Sequence, residues 1–492
     1  MMLPGGALEI SRFWGEFFMN ATGNATGGDA VDPCAPVRLL HLSDLHIGKR
    51  LHDFDRTAEY EALRQDLIRE AELLRPHGIL ISGDVFDGVN PSIDGEMFFG
   101  RLLQSLHQAA PEADLIITAG NHDSPRKIDS IAGYTSSFCD RIFLVGTLPL
   151  SRDPGSGESV LQLCRMLRPV KDGNGQIRCY VAAVPFVPGH VLFSMPMFAG
   201  CQDLSYSAAL GRLYQELLRC ALDQVEKLPY PVPVVAMGHC FVRKSKLEEG
   251  EKDKANDIVG GAQAVDAEIF SGYDYTALGH IHLQQNVTDR IRYSGSPFPV
   301  NFGEIDYKNG VTAVELGCSR EADGCFSLRA LRHIPLTRSV QFIRIPEKGF
   351  GSEKQIRDRL AELPEIPDPG RRPFCRIYVR YDPNDSEYRS LTEFRSALNE
   401  LTDTLQSQGH FRFCGAELET VSTGGGTEPG AMLADLRDVP DPRTLIMGLI
   451  RECNGDREMD EDMRLALEEI LQAVQGTSQE PETGNRQTGG QS

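Results

Sequence analysis

Five short polar clusters punctuate residues 43–282 of the chain: "SDLH" (43–46), "GDVFD" (83–87), "GNHD" (120–123), "GH" (238–239) and "GHIH" (279–282). Between them they carry Asp44, His46, Asp84, Asn121, His122, His239, His280 and His282. So many imidazoles and carboxylates cannot share one region without a cation to take up their charge and lone pairs. The donors are nitrogen and oxygen with no thiolate, a mixture that favours Mn²⁺, Fe²⁺, Zn²⁺ or Mg²⁺ over a structural zinc site. Eight groups exceed what one ion takes from a protein. Two divalent ions roughly 3.5 to 4 Å apart, bridged by one carboxylate and a water, account for them economically, and such pairs hydrolyse phosphoesters.

The elements that must position these groups are legible beside them. Each cluster follows an apolar run, and "VRLLHL", "GILIS", "DLIIT", "VPVVAM", "YTAL" and "IRYS" are strand-like in length and in their bounding residues. Tyr60, Leu63, Leu67, Ala71 and Leu74 recur at helical spacing, as do Leu210, Leu213, Leu217 and Ala221. Strands interleaved with helices predict a layered α/β domain whose strands end on a common rim, where such sheets bind ligands. Gly83, Gly120, Gly238 and Gly279 each stand directly before a candidate ligand, where a missing Cβ permits a sharp turn and close approach of the backbone.

The 492 residues exceed one ordinary core, and 41% hydrophobic with 24% charged residues is the composition of a soluble globular protein. No apolar run reaches the roughly 18 residues that would span a bilayer. Twelve cysteines without a C-x-x-C pair argue against a disulfide framework and a zinc ribbon, so reduced thiols in a cytoplasmic protein are expected. The formal charge of −20 is unusual for a protein that grips nucleic acid unaided; a polyanionic substrate must be bound locally, through metal, or with help.

These patterns divide the chain. Residues 1–36 read as a disordered extension and 37–320 as the metal-bearing α/β domain. A smaller α+β unit is expected at 321–421, opening with "SLRALRHIPL" and containing "FCRIYVRY" and a helix with Leu391, Phe394, Leu398 and Leu401. Residues 422–437 form a Gly-rich linker and 438–476 two amphipathic helical stretches around an Asn-Gly turn. Residues 477–492 have the composition of a disordered tail. So short a helical pair cannot fold alone and must pack on its own chain or a partner.

In order, D-x-H, G-D-x-x-D, G-N-H-D, G-H and G-H-x-H resemble the calcineurin-type metallophosphoesterase superfamily, whose core is a β-sandwich flanked by helices. The stretches "HLSDLHIGKRLH", "GDVFDGVNP", "AGNHDS", "DIVGGAQAV", "DYTALGHIH" and "YSGSPFPVNFGE" are similar to the bacterial SbcD exonuclease family over about residues 37 to 310. That resemblance implies one metal held by Asp44, His46, Asp84 and His282, and a second held by Asp84, Asn121, His239 and His280, with Asp84 bridging. It implies manganese as the ion, and His122 as a non-ligand facing the scissile phosphate. It further implies in-line hydrolysis of DNA phosphodiesters at double-strand ends and hairpins, with an SMC-like ATPase of the SbcC type gripped by residues 438–476. A capping role for the α+β unit is implied too, as is a homodimer within a heterotetramer, formed through helices near 57–75 and 92–108.

Other residues carry weaker signals. His52 is a substrate-contact candidate; Asp87 either touches DNA or holds its own turn. Arg243, Lys244 and Lys246 lie in a mixed-charge run that is either a solvated loop or a mobile loop offering cations to a phosphate backbone. Asp123 is expected to cap or orient its loop, and His41 to be a buried structural histidine. His77, His107, His190, His333 and His410 are expected at surfaces or turns. A protein phosphatase or small-nucleotide phosphodiesterase would use the same metal core, but would need neither the second unit nor the tethered helices. A scaffold with a degenerate site would leave ligand positions unfilled, and here all are filled.

Overall fold

The computed structural model describes residues 35–152, 159–198, 204–246, 263–321, 324–382, 388 and 390–421. The N-terminal extension up to residue 34, the Gly-rich linker, the helical pair at 438–476 and the tail lie outside them.

The first sheet begins with β1 (Val37–Leu42), followed by helix α1 (Thr57–Leu74), β2 (Gly78–Ser82), α2 (Ile93–Ala109), β3 (Asp114–Thr118), α3 (Pro125–Thr135) and β4 (Ile142–Val145). These four strands are parallel neighbours, with Leu42 beside Ile81 and Ser82 beside Thr118, so they finish level. The second sheet holds β5 (Leu167–Lys171), β6 (Ile177–Ala183), β7 (Val234–His239), β8 (Tyr275–Gly279), β9 (Gln285–Asn286) and β10 (Ile291–Tyr293), with helix α4 (Tyr206–Val225) between β6 and β7. Its order is β9-β10-β8-β7-β6-β5, and β7 and β8 run parallel with Gly279 beside His239.

The two six-stranded sheets pack face to face. Leu39, Leu80 and Ile116 from one meet Val181, Val235, Met237 and Ala277 from the other in a common buried layer. The outer face of the first sheet is covered by α1 and α2, through Leu63, Leu67, Ala71, Phe99, Leu102 and Leu106. The outer face of the second lies under α4, whose Leu210, Leu213, Leu217 and Ala221 are buried at the expected spacing. The molecule is thus the layered α/β core, a β-sandwich flanked by helices.

One boundary falls elsewhere than the sequence pattern places it. Strand β11 (Gly310–Arg320) pairs antiparallel with β1, and β12 (Phe326–Pro335), which contains all but the last residue of "SLRALRHIPL", pairs with β11 as the edge of the first sheet. The first unit therefore extends through Pro335, not 320. An alternating run declares itself a strand, but its sheet is chosen by the partners available, and Ile334 finds them in the core beneath the first sheet.

Beyond Pro335, β13 (Phe342–Ile345), β14 (Gly351–Ser352), helix α5 (Glu353–Ala361), β15 (Phe374–Tyr381), helix α6 (Leu391–Ser407) and β16 (Arg412–Thr420) form a small α+β unit. All its strands run parallel to β15. Ile377, Val379 and Phe411 pack against Ile356, Leu360, Phe394 and Leu398 of its helices. It seats on the first unit through Arg56, whose buried guanidinium bonds Glu59 twice at 2.7 Å and lies 4.6 Å from the Phe298 ring, 5.6 Å from Phe342 and 5.8 Å from Phe374. Burying a cation there is compensated by the paired carboxylate and the ring faces.

Candidate metal centre

The level strand ends bring all five clusters to one rim. Asp44 and His46 follow β1, Asp84 follows β2, Asn121 and His122 follow β3, His239 ends β7, and His280 and His282 follow β8. The turns are tight: Asp44, His46, Asp84 and His280 adopt φ of 55°, 43°, 50° and 99°, a left-handed region that costs a residue with a Cβ of order 1–3 kcal/mol. Four strained residues at one rim indicate a geometry imposed by surrounding structure. The glycines explain themselves: a Cβ at Gly83 would collide with the His239 ring, at Gly120 with the Asp84 carboxylate, and at Gly279 with the Ser82 carbonyl.

The side chains meet at ligand distances. His46 Nε2 lies 3.0 Å from His282 Nε2, and His282 Nε2 is 3.9 Å from Asp44 Oδ1. Asp84 Oδ2 is 3.6 Å from His46 Nε2 and 3.4 Å from His239 Nε2. Asn121 Oδ1 stands 3.0 Å from His239 Nε2 and 2.9 Å from His280 Nδ1. Among the described residues, three trios offer ligand atoms within 4.8 Å of one another: Asp44, His46 and His282; His46, Asp84 and His122; and Asp44, Asp84 and His239. Asp84 belongs to two of these and also abuts the Asn121 loop, where its Oδ1 accepts the His122 backbone N–H at 2.9 Å.

The chemistry of this set fits divalent metals. Asp84 Oδ2 is wholly buried with no hydrogen-bond partner, a costly arrangement for a carboxylate unless a cation engages it. Burial alone would raise the Asp84 pKa; His239, His46 and His122 reverse that and hold it well below the usual carboxylate range. Burial likewise opposes protonation of His239, but Asp84 and Asp44 outweigh it and lift its pKa to about 9. Asp84 and Asp44 thus draw positive charge onto His239, and a divalent ion satisfies the same demand.

A supporting layer orients the donors. Asp123, 2% exposed, accepts backbone N–H bonds from Gly120 at 2.8 Å, Val85 at 3.1 Å and Phe86 at 2.8 Å, stapling the loops after β2 and β3 together. Burial first, and then the Asp84 charge, push its pKa up to about 6. Tyr60 Oη donates to the His46 carbonyl, and Ser43 Oγ to Asp44 Oδ2 at 2.6 Å. Glu304 Oε1 lies 2.8 Å from His282 Nδ1. Sequence reasoning gave Tyr60 only a helical role and did not single out Glu304; its one signal is its place in "VNFGE", within a stretch similar to SbcD proteins.

The remaining candidates divide. Asp87 holds its neighbours: Oδ1 is 3.4 Å from His46 Nδ1 and 3.2 Å from Lys49 Nζ, and its carbonyl is 3.2 Å from His122 Nδ1. His52 is exposed with φ of 51° and sits beside Gly415 of the smaller unit. Arg243 is engaged by the Ala264 carbonyl at 3.1 Å and by Asp266 at 3.5 Å, which ties it to its own loop. Lys244 adopts φ of 68° in the turn that follows; residues 247–257 of that run lie outside the described residues. His41 is buried, 2.8 Å from Tyr275 Oη.

The sandwich and its rim define a class, and residues 37–284 match the model of the calcineurin-like phosphoesterase family, to which this chain belongs. Within it the kinship is narrower. The SbcD component of the SbcCD nuclease from Rhodobacter capsulatus is 32% identical over 374 residues, covering 75% of this chain and 85% of that protein. The protein of the same name from Escherichia coli K12 is 31% identical over 278 residues, 54% of this chain and 62% of that one. That of Bacillus subtilis is 26% identical over 294 residues, 58% and 68% respectively. The chain is a member of the SbcD family.

Proposed function

We propose that this chain is the nuclease subunit of an SbcCD-type complex. It would hydrolyse DNA phosphodiesters as a double-strand exonuclease, single-strand endonuclease and hairpin nuclease in DNA repair, recombination and replication. The observation that carries this reading is the convergence of five loops around a buried Asp84 whose Oδ2 has no hydrogen bond, in a chain of the SbcD family. Asp44, His46, Asp84 and His282 would hold one divalent ion, and Asp84, Asn121, His239 and His280 the other, manganese being the ion proposed. Bound there, such ions lower the pKa of water and neutralise charge on a phosphoryl group.

The chain's own residues do the rest. Asp84 takes the central place, set by the Asp123 staple and by its own positive-φ backbone. Ser82 accepts from His239 Nδ1 at 2.9 Å and so directs that imidazole's Nε2 towards Asp84. His122, half-buried and steadied by the Asp87 carbonyl, stabilises charge at the scissile phosphate or protonates the leaving oxygen.

With a net charge of −20, the chain would take much of its DNA grip from an SMC-like ATPase of the SbcC type, engaged through residues 438–476, as a homodimer within a heterotetramer. A cytoplasmic place agrees with this; no helix among the described residues is long and apolar enough to cross a membrane.

The test is a Mn²⁺-supplemented digest of an end-labelled hairpin duplex, with and without the co-expressed ATPase. Hairpin opening and shortening from the ends, enhanced by the ATPase, is expected. Turnover of bis-p-nitrophenyl phosphate with an intact hairpin would refute the DNA assignment in favour of a small-substrate phosphodiesterase.

A further inference from the structure

Two imidazoles of the metal centre are hydrogen-bonded at the ring nitrogen away from it, and a third lies beside a carboxylate there without a hydrogen bond. His239 Nδ1 meets the Ser82 carbonyl at 2.9 Å, and His46 Nδ1 meets Asp87 Oδ1 at 3.4 Å. Both partners belong to β2 or the loop that follows it. His282 Nδ1 is different: it meets Glu304 Oε1 at 2.8 Å, on a 3₁₀ turn (Phe302–Glu304) 22 residues further on and outside all five ligand-bearing loops.

Glu304 is fully buried and cannot swing away. Its Oε2 accepts the Val300 N–H at 2.8 Å, and Oε1 also accepts from Asn301 Nδ2 at 3.1 Å. The turn that carries it is held from the smaller unit's side. The Phe302 ring lies 5.1 Å from that of Phe342, and Arg338 Nη1 donates to the Ile305 carbonyl at 2.9 Å. A carboxylate accepting at Nδ1 requires the hydrogen to be there, which leaves Nε2 with its lone pair on the side of His46 and Asp44.

We propose that Glu304 is a positioning residue that locks His282 in its Nδ1–H tautomer. It thereby aims Nε2 into the cation position shared with Asp44, His46 and Asp84. This inference rests on the two-ion reading above. Only that position depends on Glu304; the one formed by Asn121, His239 and His280 does not. It also makes the seat of the smaller unit, through Phe302 and Phe342, part of what holds one metal ligand in place.

The experiment is calorimetric titration of the full chain with Mn²⁺ alone, with electron paramagnetic resonance of the loaded protein, for wild type, Glu304→Ala and Glu304→Gln. Wild type should bind two ions and show a spin-coupled pair. Glu304→Ala should bind one of the two about 10- to 100-fold more weakly and give a mononuclear signal at limiting Mn²⁺. Glu304→Gln, whose amide oxygen still accepts from Nδ1–H, should fall between. Unchanged binding of both ions in Glu304→Ala, or equal weakening of both, overturns the proposal. If Glu304→Ala does not fold, Glu304→Gln decides: selective weakening of one ion supports it and wild-type affinity for both overturns it. Wild type binding fewer than two ions would instead sink the two-ion reading.

Discussion

Replacing Asp123 tests whether two loops must be tied together for the metal centre to exist. Its carboxylate receives three backbone N–H bonds, two at Oδ2 from Gly120 and Val85 and one at Oδ1 from Phe86. Hydrogen bonds to a charged group are worth about 1.5–3 kcal/mol each, and all three donors are buried. Asp123→Ala therefore removes at least about 4 kcal/mol from the stability of the loops after β2 and β3. Asp123→Asn behaves differently. Its amide oxygen can replace Oδ2 and keep two bonds, while its NH₂ opposes the Phe86 N–H, a loss of about 1.5–3 kcal/mol. Amide hydrogen exchange read by mass spectrometry over residues 83–87 and 118–124 measures this directly, at pH 8, above the pKa of about 6. If local opening governs exchange, 4 kcal/mol accelerates it roughly 10³-fold in the alanine variant, and the asparagine variant by roughly one to two decades. Mn²⁺ affinity should fall in the same order. Exchange in Asp123→Ala within about a decade of wild type would mean that the staple contributes little, and that the loops are held by the sheets alone.

Three further outcomes are expected. Asp84→Ala should lose both metal binding and hydrolysis, whereas His122→Gln should keep metal and lose most hydrolysis; equal metal loss in the two, read by elemental analysis, would remove His122 from its assigned role. His41 has its pKa lowered from 6.5 to about 3, by burial first and Arg292 second, so its contribution to stability is complete above pH 6.5 and lost as pH falls toward 3. Between pH 6.5 and 5 this amounts to about 2 kcal/mol, at about 1.4 kcal/mol per pH unit. Thermal melts at pH 7 and 5 should show His41→Gln losing less on acidification than wild type, and parallel losses would refute the linkage. Deleting residues 438–476 should leave weak intrinsic nuclease activity and abolish association with the ATPase; a co-purification that survives the deletion would refute that assignment.

What the sequence carried was local in origin. Candidate ligand types, the glycines before them and the apolar runs preceding each cluster are all properties of a few neighbouring residues, so Asp44, His46, Asp84, Asn121, His239, His280 and His282 could be put forward as candidates from the sequence. Helical spacing named the buried faces of α1 and α4 for the same reason. The assignment of "SLRALRHIPL" to the smaller unit failed because alternation identifies a strand and is silent about its sheet. The sequence left open whether Arg243 is a solvated loop residue or a phosphate contact, because it does not show the Ala264 carbonyl and Asp266 beside it.

The sequence alone determined the candidate ligands and the α/β order, because side-chain chemistry and hydrophobic period are written residue by residue. Only the tertiary structure decided which carboxylate sits at the centre, that Asp123 joins two loops, that Asp87 lies against His46 and Lys49, and that Glu304 reaches His282. Those facts depend on two sheets ending level and on a distant turn docking against them, and such long-range packing is chosen by the whole core rather than by any stretch of it.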